Sequence, residues 1–387
     1  MKDYFGKAIE YGNLRRALNK CCRGIRWKDS VVGYELHAVQ NTYKLRQDLL
    51  NGTYKLSPYQ TFTVHEPKER EIVATRIRDR QVQMALCDAG LYDDICEHFI
   101  YDNCACQRGK GTDFTLKRVR AHMVEFFKAN GKDGWVLKCD VRHFFPNTRH
   151  DVAKAAIAKR VEDPRAREYV CNVIDSFGGD KGIGLGSQIS QLVELAVLDD
   201  LDHYIKERLR IRHYVRYMDD MILFHPDKEY LQFCKVEIER KLKEIGLELN
   251  KKTTIYPLRQ GVKFLQWRFV ITDTGKINMK LSGKKMGRQR RKLKKIIKKE
   301  IAGEYPAGSS ANSLTAWRAN ANRGDAYYQQ QRMKNYYYQT KAEVKNDYRK
   351  RENPEAGTRS MACDSEGGSQ CGQDRLQHHD GDSGRPI

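Results

Sequence analysis

The stretch Tyr217-Met218-Asp219-Asp220 (YMDD) is flanked by two apolar segments, HYVR before it and MILFH after it. Two adjacent carboxylates at the turn of an apolar hairpin are costly, because a charged group loses its hydration when it is buried. Divalent cations would offset that cost, since hard carboxylate oxygens are the ligands that Mg²⁺ prefers. The alternative is an ordinary Asp-Asp β-turn in solvent.

A third carboxylate, Asp140, favours the metal site. It ends the short apolar strand LKCD and is followed by an aromatic pair, Phe144-Phe145. The predicted order is strand, helix, helix, strand, turn, strand and helix, a split βαβ pattern that can place the two acid-bearing strands side by side. Two metals about 3.5–4 Å apart, held by such carboxylates, carry out in-line phosphoryl transfer. We therefore expect Asp140, Asp219 and Asp220 to be the catalytic metal ligands.

The composition indicates a polyanionic partner. The chain has 387 residues and a formal net charge of +21, and nucleic acid is the commonest polyanion. A lipid surface is the weaker alternative because no long apolar run is present, so we expect no membrane contact. The eleven cysteines lack the paired spacing of a zinc site. The first residues lack the apolar core of a signal peptide, and we expect a cytoplasmic protein with reduced thiols and no structural zinc.

Four regions follow from the pattern along the chain. Residues 1–50 are predicted to be a basic helical extension, and 51–275 contain the strands and helices around the acids, including a hairpin over 59–73. Residues 276–345 are predicted to be basic and helical, since Lys or Arg fills ten of the sixteen positions 284–299. Residues 346–387 are poor in apolar side chains, which is typical of a disordered tail.

Seven motifs occur in a fixed order between residues 40 and 335. They are REI at 70–72 with RDRQVQ at 78–83, CQRGKG at 106–111, DVRHFF at 140–145, GSQISQ at 186–191, YMDD at 217–220, LELNKKT at 247–253 and VKFL at 262–265. In this order they resemble the bacterial reverse transcriptases. The resemblance implies an α+β right-hand polymerase, with fingers and palm over 51–275 and a thumb over 276–345. It also implies an RNA-directed DNA polymerase whose partners are an RNA template, a cDNA or primer strand and dNTPs.

The segment before the YMDD turn suggests a subgroup. Most reverse transcriptases have Gln-Gly-x-x-x-Ser-Pro there, whereas this chain has Leu185-Gly186-Ser187-Gln188-Ile189-Ser190-Gln191. This form resembles the enzymes of diversity-generating retroelements, which copy a template RNA with errors at adenines. The resemblance implies a small basic accessory protein as a partner. Because leucine offers no hydrogen bond, we expect Leu185 to loosen the discrimination against mispairs; the alternative is a packing residue.

The resemblance also implies the other site residues. Val141 would add a backbone carbonyl to the metal ligands, and Phe145 would exclude a ribose 2′-hydroxyl by its bulk, unless it is a core residue. The remaining nucleotide-binding candidates are Lys68, Arg70, Leu185, Gly186, Gln188 and Lys252. The cofactor would be two Mg²⁺ ions, with Mn²⁺ as a substitute.

Nucleic-acid contacts are expected at two places. The strand around Phe264 and Leu265 resembles the primer grip, although Gln266 replaces the usual glycine. The basic helix would contact phosphates in a sequence-independent, salt-sensitive way. Its candidate residues are Arg290, Arg291, Lys294 and Lys295.

Other functions remain open from the residues. Within the enzymes, the alternatives are a group II intron-like, a retron-like or a phage-defence reverse transcriptase. In a different class, the alternative is a non-catalytic RNA-binding protein on a polymerase scaffold, which would be expected to lose at least one of the three acids.

Overall fold

A computed structural model describes residues 2–65 and 69–352. The chain forms two compact units: one comprises Met1–Ser282 with Arg323–Asp325, and the other comprises Gly283–Asn322 with Ala326–Ile387. Of the predicted tail at 346–387, residues 346–352 are helical, and the rest lies outside the described residues. Within the described residues, no helix is both long enough and apolar enough to cross a membrane.

The first unit begins with four helices. Their inner faces bury residues such as Leu14, Leu18 and Leu45, which are at most 1% exposed. The helices are α1 (Tyr4–Ala8), α2 (Tyr11–Cys22), α3 (Asp29–Leu36) and α4 (Ala38–Leu50).

A two-stranded hairpin and three helices follow. Strand β1 (Gln60–Val64) pairs antiparallel with β2 (Arg70–Ala74), which confirms the predicted hairpin, while the candidate Lys68 lies outside the described residues. A π-helical turn at Cys87–Leu91, which contains Gly90 at φ +157°, separates the first two of these helices. The helices are α5 (Ile77–Leu86), α6 (Tyr92–Cys96) and α7 (Thr112–Asn130).

The central sheet has four strands in the order β4-β5-β3-β6. Strand β3 pairs antiparallel with β5, as predicted for the two acid-bearing strands. Alternation places Leu137, Tyr214 and Leu223 side by side on one face and Val136 and Phe224 on the other. The strands are β3 (Trp135–Asp140), β4 (His213–Tyr217), β5 (Asp220–His225) and β6 (Thr254–Pro257).

Helices cover both faces of this sheet. Helix α7 covers one face, where Phe126 contacts Phe224 with ring centroids 6.4 Å apart. The other face belongs to the main core, with apolar side chains such as Ile157, Leu192 and Leu231. These helices are α8 (Phe144–Asn147), α9 (His150–Ala158), α10 (Pro164–Asp175), α11 (Gln188–Val197), α12 (Asp199–His203) and α13 (Lys228–Glu244), with a π-helical turn at Tyr204–Arg208.

A three-stranded antiparallel sheet completes the first unit. Its order is β7-β8-β9, and the inward residues Phe264, Trp267 and Phe269 are nearly inaccessible to solvent. The strands are β7 (Val262–Phe264), β8 (Trp267–Ile271) and β9 (Ile277–Leu281), and a 3₁₀ turn at Leu258–Gln260 precedes them.

The described part of the second unit is helical. Helix α14 (Gly283–Ile301) packs against α15 (Ser309–Ala321) and α16 (Tyr327–Glu352). Leu293 and Ile297 form its buried stripe, while most of its cations are exposed.

Candidate active site

The YMDD stretch forms the turn between β4 and β5. Strand β4 ends at Tyr217 and β5 begins at its partner Asp220, so Met218 and Asp219 make a two-residue hairpin turn. Met218 has φ +55°, a region that non-glycine residues rarely occupy. The backbone N–H of Val141 donates to the carbonyl oxygen of Asp219 at 3.3 Å, which joins the turn to the end of β3.

The register of the sheet brings the third acid to the same place. Asp140 and Asp220 are cross-strand partners on β3 and β5. Such partners have Cβ atoms about 4.5–5.5 Å apart. Asn250 fixes Asp140, since its side-chain Nδ2 donates to a carboxylate oxygen at 2.9 Å and its backbone N–H donates to the Asp140 carbonyl at 2.7 Å. The Nζ of Lys138 lies 3.6 Å from a carboxylate oxygen of Asp220.

The electrostatics of the cluster suit a cation. Burial, together with the negative charges of Asp140 and Asp220, raises the pKa of Asp219 to about 6. A divalent ion would relieve this repulsion, and oxygen ligands are those that Mg²⁺ and Mn²⁺ favour.

The loop before α11 lies against β2 and α8. The N–H of Val73 donates to the carbonyl of Leu185 at 2.8 Å, and the N–H of Ile183 donates to that of Phe145 at 2.9 Å. At Gly186, which has φ +137°, an added Cβ would lie 2.7 Å from the carbonyl oxygen of Val73. Glycine is therefore required there, and the loop places Leu185 and Phe145 in one connected region. Both side chains are half-buried, unlike Phe144, which is 3% exposed.

The other nucleotide-binding candidates are spread around this region. Arg70 is exposed at the start of β2, and Gln188 is half-buried at the start of α11, next to the helix cap Ser187. Lys252 is exposed, and its backbone N–H donates to Oδ1 of Asn250 at 3.1 Å. Its backbone is therefore bonded to the residue that fixes Asp140.

The nucleic-acid candidates differ in exposure. Phe264 is 1% exposed, so its side chain packs in the core, with the Nζ of Lys138 5.8 Å from the ring centroid. Leu265 is half-buried, and it forms a two-residue turn with Gln266, both at positive φ (+42° and +74°). Four cations on α14 in the second unit are all exposed: Arg290, Arg291, Lys294 and Lys295.

A second group of possible metal ligands lies between α7 and β4. The Nδ1 atoms of His122 and His213 are 3.3 Å apart, and Glu125 is beside them. Burial and the neighbouring His122 lower the pKa of His213 to about 4, so the His213 imidazole is neutral near pH 7. Three cationic side chains pair with Glu125 or with the adjacent Asp102, namely Arg118, Lys206 and Arg212. These charges oppose a further cation, so a hydrogen-bonded pair accounts for the arrangement.

The sequence pattern did not reveal two groups behind the turn. Arg216 and Asp202 form a fully buried ion pair, with Nη2 2.6 Å from a carboxylate oxygen. Glu194 of α11 is also fully buried; its Oε2 accepts a hydrogen bond from Thr148 at 2.9 Å, and burial raises its pKa well above the ordinary range. The sequence signal that could have revealed these groups is a charged residue inside an otherwise apolar strand or helix.

The family follows from a comparison of sequences. The profile of the family described as "Reverse transcriptase (RNA-dependent DNA polymerase)" matches residues 65–269, which is more than half of the chain and includes all three acids. The chain belongs to the reverse transcriptase family. The family assignment confirms the α+β right-hand polymerase fold predicted from the motifs. Members of the family generally use divalent metal ions and act on a nucleic-acid template.

Solved structures of telomerases are similar to this reverse transcriptase over much of its length. The telomerase from Candida albicans in complex with a fragment of telomeric RNA is 11% identical, with a TM-score of 0.46 over 81% of this chain. The apo telomerase from Candida tropicalis is also 11% identical, with a TM-score of 0.46 over 80% of this chain. The chain spans 65% and 67% of the length of these two telomerases. No curated protein matches the sequence significantly.

Proposed function

We propose that Asp140, Asp219 and Asp220 form the polymerisation centre, which holds two Mg²⁺ ions and adds dNTPs to a cDNA strand on an RNA template. The observation that supports this most directly is the register Asp140↔Asp220 beside the Met218–Asp219 turn, which collects three carboxylates at one end of the sheet. Mn²⁺ would substitute for Mg²⁺, since both accept oxygen ligands.

With divalent ions bound, this centre would supply activation of the primer 3′-hydroxyl and stabilisation of the pyrophosphate that leaves when the hydroxyl attacks the α-phosphate of the dNTP. Hydrogen bonds within the protein hold the carboxylates in position. The Asn250 side chain donates to one carboxylate oxygen of Asp140, and the Val141 N–H joins the turn to the end of β3 by donating to the Asp219 carbonyl. The Val141 carbonyl would be an additional ligand.

We propose that the loop and hairpin around this centre bind the incoming nucleotide. Phe145 would exclude a 2′-hydroxyl, since its half-buried ring follows the strand that ends at Asp140. Arg70 is exposed and able to fork two phosphate oxygens, while Lys252 offers a point charge. Gly186 and Gln188 would complete this pocket with Leu185. Lys68 remains a candidate outside the described residues.

We propose the error-prone enzyme of a diversity-generating retroelement as the subtype. The support is the sequence from Leu185 to Gln191 and the location of Leu185, half-buried in a loop bonded to Val73 of β2. A leucine there cannot make the polar contacts that disfavour mispairs. A small basic accessory protein and a cytoplasmic location belong to this proposal. A retron-like, group II intron-like or phage-defence enzyme is the alternative.

We propose that the second unit is the thumb. Its helix α14 exposes Arg290, Arg291, Lys294 and Lys295, which suit contacts with phosphates. The primer grip would involve the backbone around Phe264 and the exposed part of Leu265. The predicted divisions at residues 50, 275 and 345 remain proposals.

Primer extension on an RNA template with Mg²⁺ tests the proposal. Wild type should incorporate dNTPs, and Asp219→Ala should lose this activity because a metal ligand is removed. Asp227→Ala is the matched control: Asp227 caps α13 at the far end of β5, where its carboxylate accepts from the N–H groups of Glu229 and Tyr230. Equal activity of wild type and Asp219→Ala would contradict the proposed centre.

A further inference from the structure

Arg216 is the penultimate residue of strand β4 and is completely buried. Charged side chains are almost never fully buried unless they are paired. Its partner is Asp202 on α12, which is also 0% exposed. Its cross-strand partner on β5 is the apolar Met221, and the partner of Met221 on β3 is the buried Cys139.

The guanidinium of Arg216 uses all three nitrogens. Nε and Nη2 donate to the two carboxylate oxygens of Asp202 at 2.7 and 2.6 Å, and Tyr214 donates its hydroxyl to the same carboxylate at 2.7 Å. Nη2 also donates to the carbonyl of Leu195 at 3.2 Å. The remaining nitrogen, Nη1, donates to the carbonyl of Met218 at 3.1 Å.

That last hydrogen bond reaches the catalytic turn. The Met218 carbonyl belongs to the planar peptide unit that leads into Asp219, so holding this oxygen also fixes the orientation of the Asp219 backbone. Met218 has φ +55°, and a residue in such a region stays there only when its surroundings hold it. The backbone of Arg216 is fixed too, because its N–H donates to the backbone carbonyl of Asp102 at 3.0 Å and its carbonyl accepts from the N–H of Cys104 at 2.9 Å.

We propose that Arg216 is a positioning residue for polymerisation, which holds Asp219 in place through the Met218 carbonyl, while Asp202 fixes the guanidinium. Arg216 touches neither substrate nor metal. The inference rests on the proposed function, because the orientation of Asp219 matters only if this carboxylate binds the catalytic cation. Geometric errors of about 1 Å in such a centre cost about 100-fold in rate.

The test separates positioning from folding. Arg216→Met alone leaves the Asp202 charge buried without a partner, which destabilises proteins strongly. The double variant Arg216→Met/Asp202→Asn removes both charges and keeps an acceptor for Tyr214. A third variant, Arg216→Lys, keeps the charge near Asp202 but has no fork to reach Met218 as well.

Three quantities are measured on the full chain: the melting temperature, the single-turnover rate of dNTP incorporation and the Mg²⁺ concentration that gives half of the maximal rate. The double variant and Arg216→Lys should remain folded, with a rate about 100-fold lower. Their Mg²⁺ requirement should rise about tenfold, as for lost groups that orient metal ligands.

The matched control is the other buried pair on α12. Arg160 and Asp199 are 2.6 Å apart, with side chains 5% and 2% exposed, and they do not contact the turn. Arg160→Met/Asp199→Asn should change the melting temperature by a similar amount but leave the rate and the Mg²⁺ requirement unchanged.

Wild-type rate and Mg²⁺ requirement in either folded Arg216 variant would overturn the inference. If the double variant does not fold, Arg216→Lys decides alone by the same criteria. Failure of the proposed function gives a different result, because Asp219→Ala would then equal wild type whatever the Arg216 variants do.

Discussion

The carboxylates at the end of the central sheet and the cations of helix α14 are both dense clusters of charge, but the protein holds them in different ways. Asp140 and Asp220 are paired across two strands, and Asn250 fixes one of the oxygens. Most cations of α14 project into solvent from one helix, whose buried face contains Leu293 and Ile297.

The two clusters depend on different properties of their charges. In the sheet, a charge is useful only at one position, because a metal ligand must point at a defined site. On α14, the sum of the charges matters, since phosphate contacts are long-range and tolerant of small shifts. Single substitutions should therefore have large effects at the acids and small effects on the helix.

The largest effect is expected for Asp140→Asn, which removes one charge but keeps the size of the side chain. The rate of dNTP incorporation should fall about 1,000-fold or more, because several kcal/mol of transition-state stabilisation depend on the metal ligands. Single-turnover primer extension measures this rate. A loss of less than tenfold would mean that Asp140 does not bind a catalytic ion, and the contrast with α14 would disappear.

The second effect is expected on α14. Replacing Arg290, Arg291, Lys294 and Lys295 together with Gln should weaken template–primer binding about 10–100-fold and reduce the slope of log K against log salt by about 3–4. Each single change should cost only a few-fold. Binding titrations at several salt concentrations measure both quantities.

The control for the helix is the pair of substitutions Lys235→Gln and Lys241→Gln on α13. These lysines already pair with Glu239 and Glu244 at 3.2 and 2.9 Å. Their removal should leave the salt slope unchanged. An equal loss of affinity in this control would show that α14 has no special role.

A smaller effect concerns Glu194, whose pKa is raised well above the ordinary range by burial. The native state keeps this proton at pH values where the unfolded chain has lost it, so its contribution to stability falls as pH rises above the ordinary glutamate pKa. Glu194→Gln keeps an acceptor for Thr148 without this penalty. In thermal melts without metal, the variant should gain several degrees over wild type at pH 8 and little at pH 4. A pH-independent difference would contradict the assignment.

The smallest effect is expected for Leu185→Gln. The added amide should restore polar contacts with the nascent base pair and reduce misincorporation opposite template adenines by a few-fold. Sequencing of the cDNA products gives the error at each template base. Unchanged errors at adenines would favour a packing role for Leu185, while errors reduced equally at all bases would argue against the retroelement subtype.

The sequence predicted most of the sheet around the acids. The strand ending at Asp140 and the hairpin with Asp219 were recognisable because short apolar runs ended at carboxylates, and the structure pairs these strands as predicted. The family and its fold followed from the order of the motifs. Helices α7 and α10 were not predicted, since neither segment contains a recognisable motif.

The supporting residues could not be predicted for a physical reason. The partner of Arg216 is Asp202, on a different element, and nothing local in HYVRY tells which carboxylate it meets. The positive φ values of Met218, Leu265 and Gln266 were also hidden, because none of these residues is the glycine that normally signals such a turn.

Counting the ions at the acid cluster tests the proposed two-metal centre most directly. Mn²⁺ binding is measured by electron paramagnetic resonance with primer–template and a matching dNTP, using wild type, Asp219→Asn and the control Asp227→Asn. We expect two tightly bound ions in wild type and in the control, and at least one fewer in Asp219→Asn. Equal numbers of ions with equal affinity in all three proteins would contradict it.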